Sequence, residues 1–205
     1  MRHQKSLILS ANVVAVGCLA WAVSGDILGT GHDFSSYVWS QGEICLPCHT
    51  PHNSDLSVER APLWDHELTV ASFDTHYNGD AVPTADALDG RSILCMSCHD
   101  GTVALDSFGG VTGSAYIGGD ELLGTDLKDD HPIGVDGIYP MVPWMADPAT
   151  WEPAHGGPSL EDMDIGGTIE RVVSCTTCHE PHSRTGFEAM LWIDNDASAL
   201  CLTCH

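Results

Sequence analysis

Four Cys-x-x-Cys-His motifs recur along the 205-residue chain. Their cysteines are Cys45, Cys48, Cys95, Cys98, Cys175, Cys178, Cys201 and Cys204, and their histidines are His49, His99, His179 and His205. Two thiols at this spacing can add to the two vinyl groups of one porphyrin, while the histidine that follows reaches the iron from one face. The pattern therefore predicts four covalently bound haem c groups, each with one of these histidines as its proximal iron ligand.

Paired cysteines have two other common uses. A Cys-x-x-Cys pair is also half of a tetrahedral zinc site. Zinc does not require a histidine directly after the second cysteine, yet one follows all four pairs. A thioredoxin-like redox site needs only one active pair. Haem attachment is thus favoured over zinc binding and over thiol redox chemistry.

Residues 1–25 have the features of a secretory signal peptide. Arg2 and Lys5 precede an apolar run over residues 7–22, and small residues near its end predict cleavage near residues 22–25. The remaining cysteine, Cys18, lies in this leader, and a lipoprotein signal is the less favoured alternative because the usual leucine is missing. The mature domain is then residues 26–205, with no transmembrane segment after cleavage. We expect an extracellular or cell-surface location, with the periplasm as the alternative.

The mature chain is strongly acidic. Loss of Arg2 and Lys5 with the leader takes the formal charge from −22 to −24. This charge excludes nucleic acid as a natural partner. The carboxylates are dispersed and no glycine-rich phosphate loop is present, so we do not expect an enzyme.

The fold class follows from the ratio of protein to cofactor. Four haems leave about 45 mature residues each, too few to build a conventional core around every porphyrin. The 21 glycines and 11 prolines interrupt nearly every long helix or strand. We expect a multihaem cytochrome c: one irregular, loop-rich domain with short helices and few strands, wrapped around four stacked haems. Short helices are predicted at the motifs and over residues 198–202, and short strands over residues 35–39 and 168–174.

The second ligand of each iron must come from elsewhere in the chain. His52 and His182 each follow a motif histidine by three residues within a shared pattern, C-x-x-C-H-x-P-H, which suggests a duplicated haem-binding unit. The proline directs each of these imidazoles towards a neighbouring haem. His32 and His131 lie in turn contexts that can hold a ring against iron. These four are the distal candidates, and the reserve candidates are His66, His76 and His155. The surplus of histidines favours bis-histidine over histidine–methionine ligation.

Several short blocks between about Gly31 and His205 carry a family resemblance. They read Gly-His-Asp-Phe-Ser-Ser, Cys-x-x-Cys-His-Thr-Pro-His-Asn, Ala-Pro-Leu-Trp, Cys-x-x-Cys-His-Asp-Gly-Thr-Val-Ala-Leu-Asp-Ser, His-Pro-Ile-Gly and Cys-x-x-Cys-His-Glu-Pro-His. In this order they resemble the filament-forming extracellular tetrahaem c-type cytochromes, the OmcE-like cytochrome nanowires.

The resemblance implies a head-to-tail filament of identical subunits for long-range extracellular electron transfer. Its haems would pass electrons on to other redox cytochromes or to an extracellular acceptor. By analogy, His52 would leave its own subunit and ligate the last haem, at Cys201, Cys204 and His205, of a neighbour. Because the sequence ends at His205, either the last haem lies at a subunit junction or the sequence is truncated. A soluble periplasmic tetrahaem carrier is the alternative, and a multihaem reductase is less favoured.

Overall fold

The computed structural model describes residues 27–58, 61–75, 85–153 and 156–205. The expected leader, His76 and His155 lie outside these ranges. Within them the chain is loop-rich, as expected, with α-helices α1 (Gly90–His99), α2 (Cys175–Cys178) and α3 (Cys201–Cys204). Strands β1 (Glu161–Ile165) and β2 (Thr168–Val172) form one antiparallel hairpin. No helix in the described ranges is long and apolar enough to cross a membrane.

Short 3-10 turns connect these elements. They span Phe34–Ser36, Val38–Ser40, Ala85–Ala87, Gly119–Glu121, Gly134–Asp136, Pro148–Thr150, Glu188–Met190 and Asp196–Ser198. The strand predicted over residues 35–39 was wrong, because Asp33 caps the first of these turns and the Ser40 hydroxyl donates to the carbonyls of Phe34 and Tyr37. The strand predicted over residues 168–174 is confirmed by β2, whereas residues 198–202 are divided between the last turn and the start of α3.

The described part of the chain contains two small apolar clusters. The first is built on Phe73, Ala87, Leu88, Met96 and Leu127, and the second on Tyr139, Leu160 and Val173. Gly134 lies between them: its N–H donates to the Val173 carbonyl at 2.9 Å, and a Cβ on it would lie 2.2 Å from the Ala87 oxygen. Its φ of +59° is also one that favours glycine. The clusters therefore meet at a position that only glycine fits.

One buried carboxylate joins the second and third motifs. Asp89 caps α1 by accepting from the N–H groups of Arg91 and Ser92. The same carboxylate accepts from the Ser92 hydroxyl at 2.5 Å and from the Ser174 hydroxyl at 3.0 Å. Ser174 is in turn the N-cap of α2. Asp89 thereby fixes the starts of two motif helices against each other.

Replacing Asp89 with alanine is expected to lower the free energy of unfolding by about 3 kcal/mol, because it removes a helix cap and leaves buried donors unpaired. Asp147 is the matched control, since it caps only the exposed turn Pro148–Thr150. Asp147→Ala should cost less than about 1 kcal/mol. Guanidinium unfolding of the haem-loaded proteins measures both values, and equal losses would contradict the bridging role of Asp89.

Candidate haem-binding sites

Each motif forms one helical turn that presents two thiols and a histidine together. Cys95, Cys98 and His99 occupy the last turn of α1, while α2 and α3 begin and end at motif cysteines. In the first motif, a turn, the His49 N–H donates to the Cys45 carbonyl at 2.9 Å. The corresponding bonds in the third and fourth motifs are both 3.0 Å. All four motifs therefore have the local geometry that haem attachment requires.

The motif cysteines are not gathered into one cluster. All eight motif thiols are free, and the described residues contain no cluster of three or more His, Cys, Asp or Glu side chains that could hold a metal ion. Burial raises the pKa of Cys48 and of Cys178 to about 11, and the pKa of Cys98 to about 12. At these three positions burial disfavours the thiolate, which is the form in which cysteine binds zinc.

Three motif histidines each lie against a second histidine. The ring centroids of His99 and His32 are 6.2 Å apart, those of His49 and His182 are 6.2 Å apart, and those of His205 and His131 are 6.3 Å apart. With metal–nitrogen bonds of about 2.0 Å, two imidazoles on opposite faces of one metal ion have centroids about 6 Å apart. The three pairs therefore fit three bis-histidine irons.

The other ring nitrogen of these histidines is mostly occupied by a backbone carbonyl. Nδ1 lies 3.0 Å from the Pro62 oxygen in His49, 2.8 Å from the Glu121 oxygen in His99 and 2.8 Å from the Ala189 oxygen in His179. Among the distal candidates, it lies 3.0 Å from the Pro181 oxygen in His32 and 3.0 Å from the Pro132 oxygen in His131. A proton on Nδ1 leaves Nε2 as the metal-binding nitrogen and fixes the ring orientation.

Apolar side chains stand exposed beside the motifs. Leu63, whose carbonyl accepts from the amide after His49, is 50% exposed, and Leu202, inside the fourth motif, is 67% exposed. Leu123, whose N–H donates to the His99 carbonyl, is 43% exposed. A flat apolar macrocycle bound at the first, second and fourth motifs would have these side chains as neighbours.

Consecutive motifs lie next to one another. The neighbouring Cys48 thiol adds to burial in raising the pKa of Cys98, and Cys204 does the same for Cys178. The neighbouring Cys175 thiol likewise raises the pKa of Cys95. Each motif therefore has a thiol near a thiol of the next motif along the chain.

The first and third motifs share a fold as well as a sequence pattern. After the first motif the chain returns to pair His49 with Trp64, through bonds from Thr50 N to Leu63 O and from Asp65 N to Cys48 O. After the third motif it returns to pair His179 with Leu191, through bonds from Glu180 N to Met190 O and from Trp192 N to Cys178 O. This common pairing supports the duplication that the sequence suggests.

The remaining histidines differ in what their rings contact. His66 is 3% exposed, with Nδ1 2.8 Å from the Glu67 oxygen and Nε2 3.1 Å from the Ala104 oxygen, so neither nitrogen is free for iron. The exposed ring of His52 has no bonded or stacked partner in the described ranges. In those same ranges no histidine ring is stacked on His179 as in the three pairs.

The fourth motif bears on one expectation. The resemblance implies that His52 of a neighbour ligates the last haem, whose proximal ligand is His205. In the described ranges His131 of the same chain lies at ligand spacing from His205. Among the motif histidines, His179 is the one with no second histidine ring at that spacing in the described ranges.

Comparison with known proteins supports the motif assignment. A family described as the doubled CXXCH motif matches residues 170–205, which contain the third and fourth motifs. The chain carries the haem c attachment motifs of an electron-transfer protein. No curated protein and no solved structure was found to match it. The family match covers the C-terminal part alone, and the two earlier motifs rest on their own sequence and geometry.

Replacing His32 with alanine is expected to convert about one quarter of the haem iron from low-spin to high-spin, because one iron loses its sixth ligand. His66→Ala should leave every haem low-spin, since both nitrogens of His66 face carbonyl oxygens. Electron paramagnetic resonance of the ferric proteins measures the high-spin fraction. A high-spin signal from His66→Ala, or none from His32→Ala, would contradict the pairing.

Proposed function

We propose that this chain is a tetrahaem c-type cytochrome whose subunits join head to tail in an extracellular filament for long-range electron transfer. When bound, haem c supplies an iron that alternates between the ferric and ferrous states. The motif cysteines would hold each group covalently, and a motif histidine would bind one face of its iron. A second histidine on the other face leaves no open position for substrate, which favours electron transfer over catalysis.

The filament proposal rests on two unpaired rings in the described part of the chain: His179 has no second histidine at ligand spacing, and His52 has no motif histidine at that spacing. His182, from the second copy of the duplicated unit, lies at ligand spacing from His49 in the first copy. His52 holds the same place in the first copy, and its ring is exposed and unpaired within the described part of the chain. In this pairing the last histidine of one copy pairs with the motif histidine of the other. If the same pairing also formed between subunits, His52 would bind the haem at Cys175, Cys178 and His179 of the next subunit.

Exposure at both ends of this contact supports the reassignment. His52 and His179 are both exposed, whereas the Nδ1 of His179 is already held by the Ala189 carbonyl. The iron bound by His179 would therefore lack only its second ligand, which would come from beyond the residues described around it. Each subunit would give one histidine and receive one, and a head-to-tail contact of this kind that does not close into a ring generates a polymer.

The electron path would follow the order of the motifs along the chain. The Cys48, Cys175 and Cys204 thiols lie near enough to an adjacent motif to shift the pKa values of Cys98, Cys95 and Cys178, so electrons passing between neighbouring haems would cross little intervening protein. The secretory leader and the formal charge of −24 after its removal are compatible with a location outside the cell. Other redox cytochromes or an extracellular acceptor would receive the electrons.

Electron cryomicroscopy of the native secreted material tests this proposal. We expect a filament in which density for His52 reaches the iron held by His179 of the next subunit. Discrete single-chain particles with His76 or His155 on that iron would overturn the filament and leave a soluble tetrahaem carrier. A filament with His52 on the haem of His205 would instead restore the ligand that the resemblance implied.

A further inference from the structure

The distal candidate His182 has a different neighbour from the other paired histidines. Its Nδ1 lies 3.3 Å from Oε1 of Glu180, whose side chain is 1% exposed. His32, His49, His99 and His131 each face a neutral backbone carbonyl with the same nitrogen. Only at His182, among these five rings, is the second nitrogen next to a carboxylate.

Several donors hold this carboxylate in place. It accepts from the Arg184 N–H at 2.5 Å and from the His182 N–H at 3.2 Å, and the Arg184 Nε lies 3.2 Å away. The Arg184 guanidinium therefore forms an ion pair with the Glu180 carboxylate. Arg184 is itself held over the Trp192 ring, 5.4 Å from its centroid. Glu180 is therefore a fixed anion.

The duplicated unit provides an internal comparison. The residue directly after the motif histidine is Glu180 in the second copy and Thr50 in the first. The Thr50 hydroxyl donates to the His52 carbonyl at 2.9 Å, so it offers the His52 ring no negative charge. The carboxylate is thus an addition to one copy and not a requirement of the shared fold.

We propose that Glu180 is a positioning residue that lowers the reduction potential of the haem at Cys45, Cys48 and His49 by polarising its distal ligand His182. An anion beside Nδ1 draws that proton towards itself and makes Nε2 a stronger electron donor to iron. A stronger donor stabilises the ferric state relative to the ferrous state. This inference rests on the bis-histidine coordination in the proposed function.

The consequence is an uneven set of potentials along the line of haems. The first haem would be harder to reduce than the second, whose histidines His32 and His99 face only carbonyl oxygens. An electron would therefore move favourably from the first haem to the second. The difference is built into the chain by a single side chain beside one ligand.

A redox titration followed by electron paramagnetic resonance tests the inference. The angle between two axial imidazole planes sets the splitting of the iron d orbitals, and the planes meet at 22° for His49 and His182 but at 55° and 73° for the other two pairs. The first haem should therefore give its own low-spin signal. Glu180→Gln is expected to shift its reduction equilibrium about tenfold towards the ferrous form, or about 59 mV.

Two further variants make the result specific. Glu180→Thr, which introduces the residue of the first copy, should raise the same potential and provides a second test if Glu180→Gln folds poorly. Asp164→Asn removes one charge from the exposed face of β1 and should shift no single haem selectively. An unchanged first haem in both Glu180 variants, or an equal shift of all haems, would overturn the inference.

Failure of the underlying coordination gives a different result. His182→Ala should make the first haem high-spin in the otherwise intact protein. If all haems stayed low-spin in that variant, His182 would not be a ligand, and both the coordination and the inference would fail. A high-spin first haem in His182→Ala, together with no shift in the Glu180 variants, would overturn the inference alone.

Discussion

Replacing His52 with alanine is expected to abolish filament assembly while leaving the subunit folded. The ring is exposed and contacts no other described ring, so its removal takes nothing from the interior. Under the proposal it removes one metal–ligand bond from every junction between subunits. We expect the assembled fraction to fall at least about tenfold, which corresponds to about 1.4 kcal/mol or more per junction. Sedimentation velocity and negative-stain imaging measure that fraction.

Two kinds of control accompany His52→Ala: a substitution at a nearby residue, and substitutions of the histidines that could bind the same iron instead. Ser54→Ala alters a nearby side chain that carries no imidazole and should assemble normally. His52→Ala should also show one high-spin haem per chain, because the iron held by His179 loses its sixth ligand. If His52→Ala stays assembled and fully low-spin while His76→Ala or His155→Ala gains the high-spin signal, the ligand comes from within the chain.

Replacing both cysteines of the second motif, Cys95→Ser with Cys98→Ser, is expected to prevent accumulation of folded protein. Cys95 and Cys98 lie near enough to Cys175 and Cys48 for those thiols to raise their pKa values, and Met96 between them is a buried member of the first apolar cluster. Loss of this haem would leave a large cavity where three motifs meet, and cavities are costly in proportion to their volume. The yield of secreted haem protein should fall at least about tenfold.

The fourth motif supplies the comparison for this double variant. Cys201 is exposed. Of the residues in α3, only Cys204 packs against an apolar cluster, the second one. Cys201→Ser with Cys204→Ser should therefore yield a folded protein with three haems. Haem-stained gels and intact mass report both variants. Equal losses at the two motifs would mean that the second haem contributes no more to the fold than the fourth.

The sequence predicted the parts of the structure that depend on local chemistry. The motif spacing predicted helical turns, and α2 and α3 are such turns, while α1 ends in one. The glycine and proline content predicted a loop-rich chain, and β2 lies within the segment 168–174 that was predicted as a strand. The strand predicted over residues 35–39 was wrong because hydrogen bonds between the backbone and the side chains of Asp33 and Ser40 override the β-propensity of this segment.

The sequence predicted less well which distant residues meet in the folded chain. Turn context and spacing single out His32, His131 and His182, and in the structure each lies beside a motif histidine. Which motif histidine each one lies beside depends on tertiary contacts, which residue spacing along the chain does not determine. The Glu180 carboxylate was missed although Glu180 stands where the other copy has Thr50, a signal that comparison of the two copies could have revealed.

The sequence also does not predict the backbone carbonyls that accept from the histidine Nδ1 atoms. His32 faces the carbonyl of Pro181, 149 residues away along the chain. His99 faces the carbonyl of Glu121, which the turn Gly119–Glu121 positions. A backbone carbonyl has no residue type, so no pattern in the sequence identifies it. These contacts decide which ring nitrogen remains for iron.

The ratio of haem to polypeptide in the secreted protein shows whether every motif carries a haem. Intact mass under denaturing conditions, combined with the pyridine haemochrome spectrum, counts covalent haem c per chain. We expect four haems on every chain, one for each Cys-x-x-Cys-His motif. A protein with free motif thiols, with bound zinc, or with fewer than four haems when fully matured would contradict it.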